Sequence, residues 1–287
     1  MDNRRMIWRS CAFILGFLLL AGAGGDPQSA DAPKASDKLL RVCADPNNLP
    51  FSNDKGEGFE NKLAELVAHD MGRTVTYTWW AQRRGFVRNT LKAGHCDVIM
   101  GVPADLDMVA ATKPYYRSTY VFVWRRDRDL DLSSITDPRL RDLRIGVHLL
   151  GDDGFNTPPA EVLGEQGITG NVVGYSIYGD YRTANPPARL LDAVAKGDID
   201  VAAVWGPFAG YFGRKTIAPL ALAPIAENGR FAPIVFQYDI AMGVRKPDHA
   251  LQAALNKVIQ QNQPAITALL ESYGVPLVSS PQKAALP

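Results

Sequence analysis

Leu39-Leu-Arg-Val-Cys-Ala44, Phe59 to Met71, Thr74 to Trp80 and Cys96-Asp-Val-Ile-Met-Gly101 are the stretches that decide the fold. The first is a short apolar run stopped by Asp45-Pro-Asn-Asn48, which reads as a strand entering a loop. Phe59, Leu63, Leu66, Val67 and Met71 recur at helical spacing and predict an amphipathic helix. Thr74 to Trp80 is β-branched and aromatic, Phe86 to Ala93 is helical in pattern, and Cys96 to Gly101 is again a short buried strand. Strands alternating with helices imply a parallel sheet and an α/β fold.

The same order restarts downstream, with strand 144–148, helix 160–165, strand 172–176, helix 188–195 and strand 199–205. The third strands are introduced alike, by Lys92-Ala-Gly-His-Cys-Asp-Val98 and by Ala195-Lys-Gly-Asp-Ile-Asp-Val201; both carry Gly-x-x-Asp-Val, a helix end and turn feeding a buried strand. Two α/β lobes follow. Ser118 to Trp124 runs between them and ends in Arg125-Arg-Asp-Arg-Asp129. Tyr238 to Val244 follows the second lobe and leads through Arg245-Lys-Pro-Asp248 to a helix over 250–259. A chain that leaves one lobe, builds another and returns makes a hinge of two crossing strands and a cleft, where ligands tend to bind. The expected division is lobe 1 over 39–124 and 237–278 and lobe 2 over 125–236, with flexible segments at 26–38 and 279–287.

Arg4, Arg5 and Arg9 precede the apolar run Ala12 to Ala21 and the small residues Gly22-Ala-Gly-Gly25, the pattern of a signal peptide cleaved near residue 25. The run is about half the ~20 apolar residues that a membrane anchor needs, and no later segment is long enough, so stable membrane insertion is not expected. The mature protein is expected in the periplasm. With 46% hydrophobic and 21% charged residues the composition is globular, and 31 basic against 30 acidic residues leave no surplus for nucleic acid. Loss of residues 1–25 removes three arginines and one aspartate, leaving a net charge of −1.

Cys11 leaves with the signal, so the mature chain keeps Cys43 and Cys96. Two cysteines in an oxidising compartment usually pair. A metal site competes, since His95 adjoins Cys96, although two thiols and one imidazole fall short of a closed zinc set.

Over residues 39–278 the order of segments resembles the type II periplasmic solute-binding proteins. Within them, Cys43-Ala-Asp-Pro-Asn-Asn-Leu-Pro-Phe-Ser52, Gly58-Phe-Glu-Asn61, Trp79-Trp-Ala-Gln-Arg-Arg-Gly85, Cys96-Asp-Val-Ile-Met-Gly-Val-Pro103, Gly151-Asp-Asp-Gly154 and Val204-Trp-Gly-Pro207 are similar to a narrower family. It is the quinoprotein-dehydrogenase-associated periplasmic solute-binding proteins, the MxaJ/XoxJ-like proteins of methanol oxidation. The resemblance implies an exported protein working beside a dehydrogenase that uses pyrroloquinoline quinone (PQQ), with no cofactor of its own. It also implies a Cys43–Cys96 bridge, because the first and third strands of lobe 1 are neighbours in type II proteins.

Type II amino-acid receptors hold the ligand carboxylate with an arginine after the third strand, and Gly101 to Pro114, which fills that region here, contains none. Their ammonium-binding aspartate aligns with Trp205, and the position that stacks an aromatic ring on the ligand aligns with Arg84. Asp152 and Asp153, after the first strand of lobe 2, put negative charge where free backbone amides normally attract anions; as plain cap and turn residues they would instead face water. Phe51, Trp80, Tyr181 and Trp205, with Asp45 and Pro103, are expected at strand ends or in loops on the cleft side, suiting a flat ligand or a protein insertion. Core packing is the competing reading for each aromatic, and Trp79 and Trp80 cannot both face the cleft.

No Gly-x-Ser-x-Gly, His-Glu-x-x-His, Walker lysine or Gly-x-Gly-x-x-Gly motif occurs in the mature chain, and His69, His95, His148 and His249 are scattered. The expectation is a non-enzymatic accessory of a PQQ-dependent methanol or alcohol dehydrogenase. The alternative is the receptor of an ABC transporter for a small non-amino-acid solute.

Overall fold

In the computed structural model, which describes residues 38–150, 156–177, 182–226 and 229–279, the chain opens with β1 (Leu39–Ala44) and a short hairpin, β2 (Asn47–Asn48) and β3 (Ser52–Asn53). Then come α1 (Phe59–Asp70), β4 (Thr74–Trp79), the single turn α2 (Phe86–Asn89), β5 (Val98–Pro103), β6 (Ala110–Ala111) and the long β7 (Tyr116–Arg125). A second unit follows: β8 (Ile145–Leu149), α3 (Pro158–Glu165), β9 (Val172–Ser176), α4 (Ala188–Lys196), β10 (Val201–Trp205), α5 (Gly206–Phe212) and β11 (Leu220–Pro224). The chain returns through β12 (Gln237–Val244) and α6 (His249–Ser272). The expected signal peptide, and almost all of the expected linker and tail, lie outside the described residues.

The sheet order is β4-β1-β5-β12-β7-β10-β8-β9, with β11 on β7 and β6 on β12. Each half holds three parallel strands, β4-β1-β5 and β10-β8-β9, joined by helical crossovers. Between them β7 changes partner: Tyr116 to Thr119 pair with β12, while Tyr120 to Trp124 pair with β10. One strand thus belongs to both lobes, and the lobes meet at its midpoint.

The Gly-x-x-Asp-Val repeat is a structural equivalence. Gly94 (φ 78°) and Gly197 (φ 79°) take the left-handed conformation that ends the preceding turn, which suits glycine. In lobe 1 the Asp97 carboxylate accepts from Arg41 Nε at 2.9 Å, and Arg41 Nη1 donates to the Gly94 carbonyl at 2.9 Å. In lobe 2 the Asp200 carboxylate accepts from the Arg144 backbone N–H at 2.8 Å, and Arg144 Nη2 donates to the Gly197 carbonyl at 2.7 Å. Each knot ties the start of a first strand to the start of a third.

α1 and α6 cover one face of the first sheet through Phe59, Leu63, Val67, Leu255, Ile259 and Ile266. On its other face Cys43 and Cys96 form a disulfide inside a cluster of Phe86, Leu91, Ile99, Val102 and Val109. Two further clusters cover the second sheet, one built on Leu190, Leu191 and Val194 of α4, the other on Val162 and Leu163 of α3.

The helix expected over 86–93 is one turn only. Thr90 caps it, with its N–H and its hydroxyl both donating to the Phe86 carbonyl, at 3.0 and 2.6 Å, and successive turns carry Cys96 back to Cys43. The helix expected over 250–259 runs on to Ser272 through Pro264, because Ile266 and Leu270 continue the buried stripe. The Asp248 carboxylate caps its start by accepting from the Leu251 N–H at 3.3 Å. Helix α5 and strand β11 lie outside the elements expected from sequence.

Candidate functional site

The hairpin of β2 and β3 sits on the N-terminus of α1. The Phe59 and Glu60 N–H groups donate to the Pro50 and Phe51 carbonyls at 2.8 and 2.9 Å, and Asn61 Oδ1 accepts from the Asn53 and Gly58 N–H groups, each at 3.1 Å. Donors that would make a helix start attractive to an anion are consumed within the protein. Glu60, in that first turn, has only 7% of its surface exposed and makes no hydrogen bond or ion pair among the described residues. Its carboxyl lies over Gly101 of β5, in space that any side chain there would fill. Burial pushes it up to about 8.

Register places the aromatic wall. Trp205, the last residue of β10, pairs with Tyr120 of β7, and their rings lie 5.1 Å apart. Tyr238 of β12 closes on Trp205 at 5.8 Å, so all three rings stand where β7 passes between the lobes. A second aromatic contact links the lobes directly: Phe51 meets Phe59 at 5.2 Å on its own side and Phe208 of α5 at 5.1 Å on the other. Asn47 adds polar contact across the cleft, donating to the Thr183 carbonyl at 2.9 Å and accepting from the Asn185 N–H at 3.2 Å.

Between these walls is a cavity of about 450 Å³, lined by Phe51, Tyr116, Tyr120, Trp205, Phe208 and Tyr238 with Asn48, Glu60, Gln82, Gly101, His148 and Glu161. Its acidic groups are two carboxyls, Glu60 from lobe 1, which burial keeps protonated at neutral pH, and Glu161 from lobe 2, and no lysine or arginine lines it among the described residues. His148 is buried, and burial depresses it to about 4, so it is neutral. Its Nε2–H donates to the Pro187 carbonyl at 3.2 Å, which leaves Nδ1 an acceptor without a partner. Asn48 Oδ1 is a second buried acceptor without a partner. Both unpartnered buried polar atoms in these walls are therefore acceptors. Among the described residues no three metal-ligating side chains gather, and no helix is long and apolar enough to cross a membrane.

Of the residues singled out from sequence, Phe51, Pro103 and Trp205 line this cavity. Asp45 does not. It is buried, accepts from the Asn47 and Gln82 N–H groups, both at 2.8 Å, and ties the hairpin to the loop after β4; burial raises its pKa despite these bonds. Trp80 is 45% exposed, and neither it nor Arg84 lines the cavity. Gln82 of the same loop does line the cavity, and Trp79 stacks on Tyr77 with ring centres 4.5 Å apart. Asp152, Asp153 and Tyr181 lie outside the described residues.

Sequence reasoning missed Glu60, Tyr116, Tyr120, His148, Phe208 and Tyr238. One trace of Glu60 was available: Leu63, Ala64 and Val67 follow it at three, four and seven residues, so a charge stands on the buried face of α1. The tyrosines carry no local mark, since their positions depend on pairing between β7, β10 and β12.

The model of the bacterial extracellular solute-binding proteins, family 3, matches residues 40–274. Protein MoxJ of Methylorubrum extorquens is 36% identical over 264 residues, 88% of this chain and 85% of that protein. Protein MoxJ of Paracoccus denitrificans is 31% identical over 288 residues, 93% of this chain and 99% of that protein. The crystal structure of the periplasmic binding protein XoxJ from Methylobacterium extorquens AM1 is 36% identical with a TM-score of 0.69, covering 84% of this chain and all of that one. A two-lobed α/β fold crossed by β7, a family match over nearly all of the folded chain and these full-length relatives agree: the chain belongs to the bacterial extracellular solute-binding proteins, family 3, and within them to the MoxJ/XoxJ group.

Proposed function

We propose that this chain is exported to the periplasm, with residues 1–25 as its signal peptide, and serves there as a non-enzymatic accessory of a PQQ-dependent methanol or alcohol dehydrogenase. It docks to the dehydrogenase or activates it. The observation that carries the reading is the relationship to MoxJ along 88% of the chain. The cleft supports it: with two carboxyl groups and no arginine or lysine among its described lining residues, it is poorly suited to the carboxylate of a free amino acid. Trp205, wedged between Tyr120 and Tyr238, is the proposed anchor for an inserted partner segment.

A second reading, the receptor of an ABC transporter for a small non-amino-acid solute, is favoured by the cavity of about 450 Å³, which is of ligand size.

The test is binding of the dehydrogenase purified from the same cells. The accessory reading expects a measurable complex that Trp205→Ala weakens by about 2 kcal/mol or more in a protein whose circular dichroism and melting curve match the wild type. Asp152→Asn with Asp153→Asn is expected to slow association and reduce its salt sensitivity. Unchanged affinity in both folded variants moves the partner surface off the cleft. Absence of any complex, together with a co-purified small molecule, favours the transport receptor.

A further inference from the structure

The cleft holds a feature that the dehydrogenase reading neither uses nor requires. Glu60 is a nine-tenths-buried carboxyl with no partner, set against a glycine that leaves room for it, on the wall of a cavity rich in aromatic rings. The acidic groups among the described lining residues are two carboxyls and no base accompanies them except the neutral His148; Glu161 supplies the second carboxyl from the opposite lobe. The two buried polar atoms that lack partners in these walls, Asn48 Oδ1 and His148 Nδ1, are lone pairs and not donors. A buried carboxyl without a donor is unfavourable unless it is protonated or something brings it a donor. An anionic ligand would meet two acidic groups and no cation; a neutral apolar one would leave Glu60 unmatched. A positively charged N–H donor with a short hydrocarbon body satisfies both the carboxyl and the rings, since aromatic faces attract cations.

We infer that the cleft binds an organic ammonium group, its charged head on Glu60 and its hydrocarbon part against Trp205, Tyr120 and Tyr238. This chemistry has two sources, a free small amine or a lysine side chain of a protein partner. It differs from amino-acid capture in needing no cation for a ligand carboxylate.

Calorimetry with n-butylammonium, 1-butanol and butyrate tests it on the purified, unaltered protein. The expected result is that butylammonium binds about tenfold or more tightly than 1-butanol, which has the same chain without charge, and that butyrate does not bind. Equal affinity for butylammonium and 1-butanol overturns the proposal, as does failure of butylammonium to bind. Glu60→Gln, checked by circular dichroism and melting, is expected to weaken butylammonium about tenfold or more and to leave 1-butanol within about twofold. An unchanged butylammonium affinity in that folded variant overturns the assignment to Glu60. If the variant does not fold, the three-ligand comparison on unaltered protein still decides. Nα-acetyl-lysine N-methylamide separates the sources: tighter binding than butylammonium assigns the group to a protein lysine, and weaker binding assigns it to a free amine. Each of these outcomes is independent of whether a dehydrogenase binds.

Discussion

The carboxyl group of Glu60 occupies the space that a side chain on Gly101 would need. Glu60 begins α1 and Gly101 lies within β5, so this one contact fixes how the start of the helix meets the cleft end of a parallel strand. It also links a buried ionisable group to the cavity wall, since both residues line the cleft.

Gly101→Ala is expected to destabilise the protein by about 1–3 kcal/mol, because the new methyl group must displace the Glu60 carboxyl in a packed region. Urea unfolding measures this. A variant as stable as wild type would show that the carboxyl moves aside freely.

Glu60 makes stability fall with rising pH. Burial lifts its folded-state value to about 8 from 4.5, so the folded chain holds a proton that the unfolded chain has released. Its contribution is fully present below about 4.5 and is lost as pH rises through about 8. The groups it couples to, Tyr77, Tyr115 and Tyr116, all have raised values and stay neutral in this window. Glu60→Gln is therefore expected to exceed wild type in stability by up to about 4 kcal/mol at pH 7.5 and to match it near pH 4. His148, depressed to about 4, has the opposite slope between about 4 and 6.5, but it is common to both proteins and cancels in the difference. A gap that does not change with pH would mean that Glu60 does not titrate in this range.

Free-thiol labelling of denatured, unreduced protein is expected to find no thiol at Cys43 or Cys96. Replacing both by alanine should destabilise the fold by about 3–4 kcal/mol in the chain-entropy model, since the bridge closes a loop with a sequence separation of 53. Two reactive thiols in exported protein would refute the bridge.

Asp200 works in the other direction. Burial pushes its carboxyl up, but hydrogen bonds from Arg144 and Arg128 outweigh this and hold it down at about 2. The stabilisation is present above about 3.8 and disappears as pH falls through about 2. Asp200→Asn should cost about 1 kcal/mol at pH 7, a figure kept small by solvent screening because the Arg144 side chain is 54% exposed. Equal loss at pH 7 and pH 2, read from guanidinium midpoints, would exclude a charge effect.

Zwitterionic amino acids are expected to bind only weakly. Their carboxylate finds no lysine or arginine among the described residues of the cleft, and losing such a charge-assisted pair removes several kcal/mol. Calorimetry giving a low-micromolar dissociation constant for any common amino acid would show that other groups replace the clamp.

Much of the framework was legible in the chain. β1, α1, β4 and β9 fall within a residue or two of where the sequence put them, α1 because its buried face repeats at helical spacing and the strands because they are short runs rich in apolar, β-branched or aromatic residues. The continuation of α6 beyond 259 was hidden by the polar run Gln260-Gln-Asn-Gln-Pro264, whose neighbours on the buried face lie in distant strands. Asp45 and Glu60 show the limit at the cleft. Both are acidic, both lie just after a predicted boundary, and nothing local says that one knots two loops while the other faces the cavity.

By itself the sequence determined the alternation of strands and helices, two cysteines in a mature chain read as exported, a repeated Gly-x-x-Asp-Val and the absence of arginine from Gly101 to Pro114. These are properties of residue type and spacing. Only the tertiary structure decided which side chains share the cleft. Tyr120, Trp205 and Tyr238 come from three strands and meet because β7 changes partner between Thr119 and Tyr120. Glu60 is buried because β5 presents a glycine to the first turn of α1. Burial arises from contacts between segments far apart in the chain, and a local pattern shows which face of an element is apolar without showing what that face will meet.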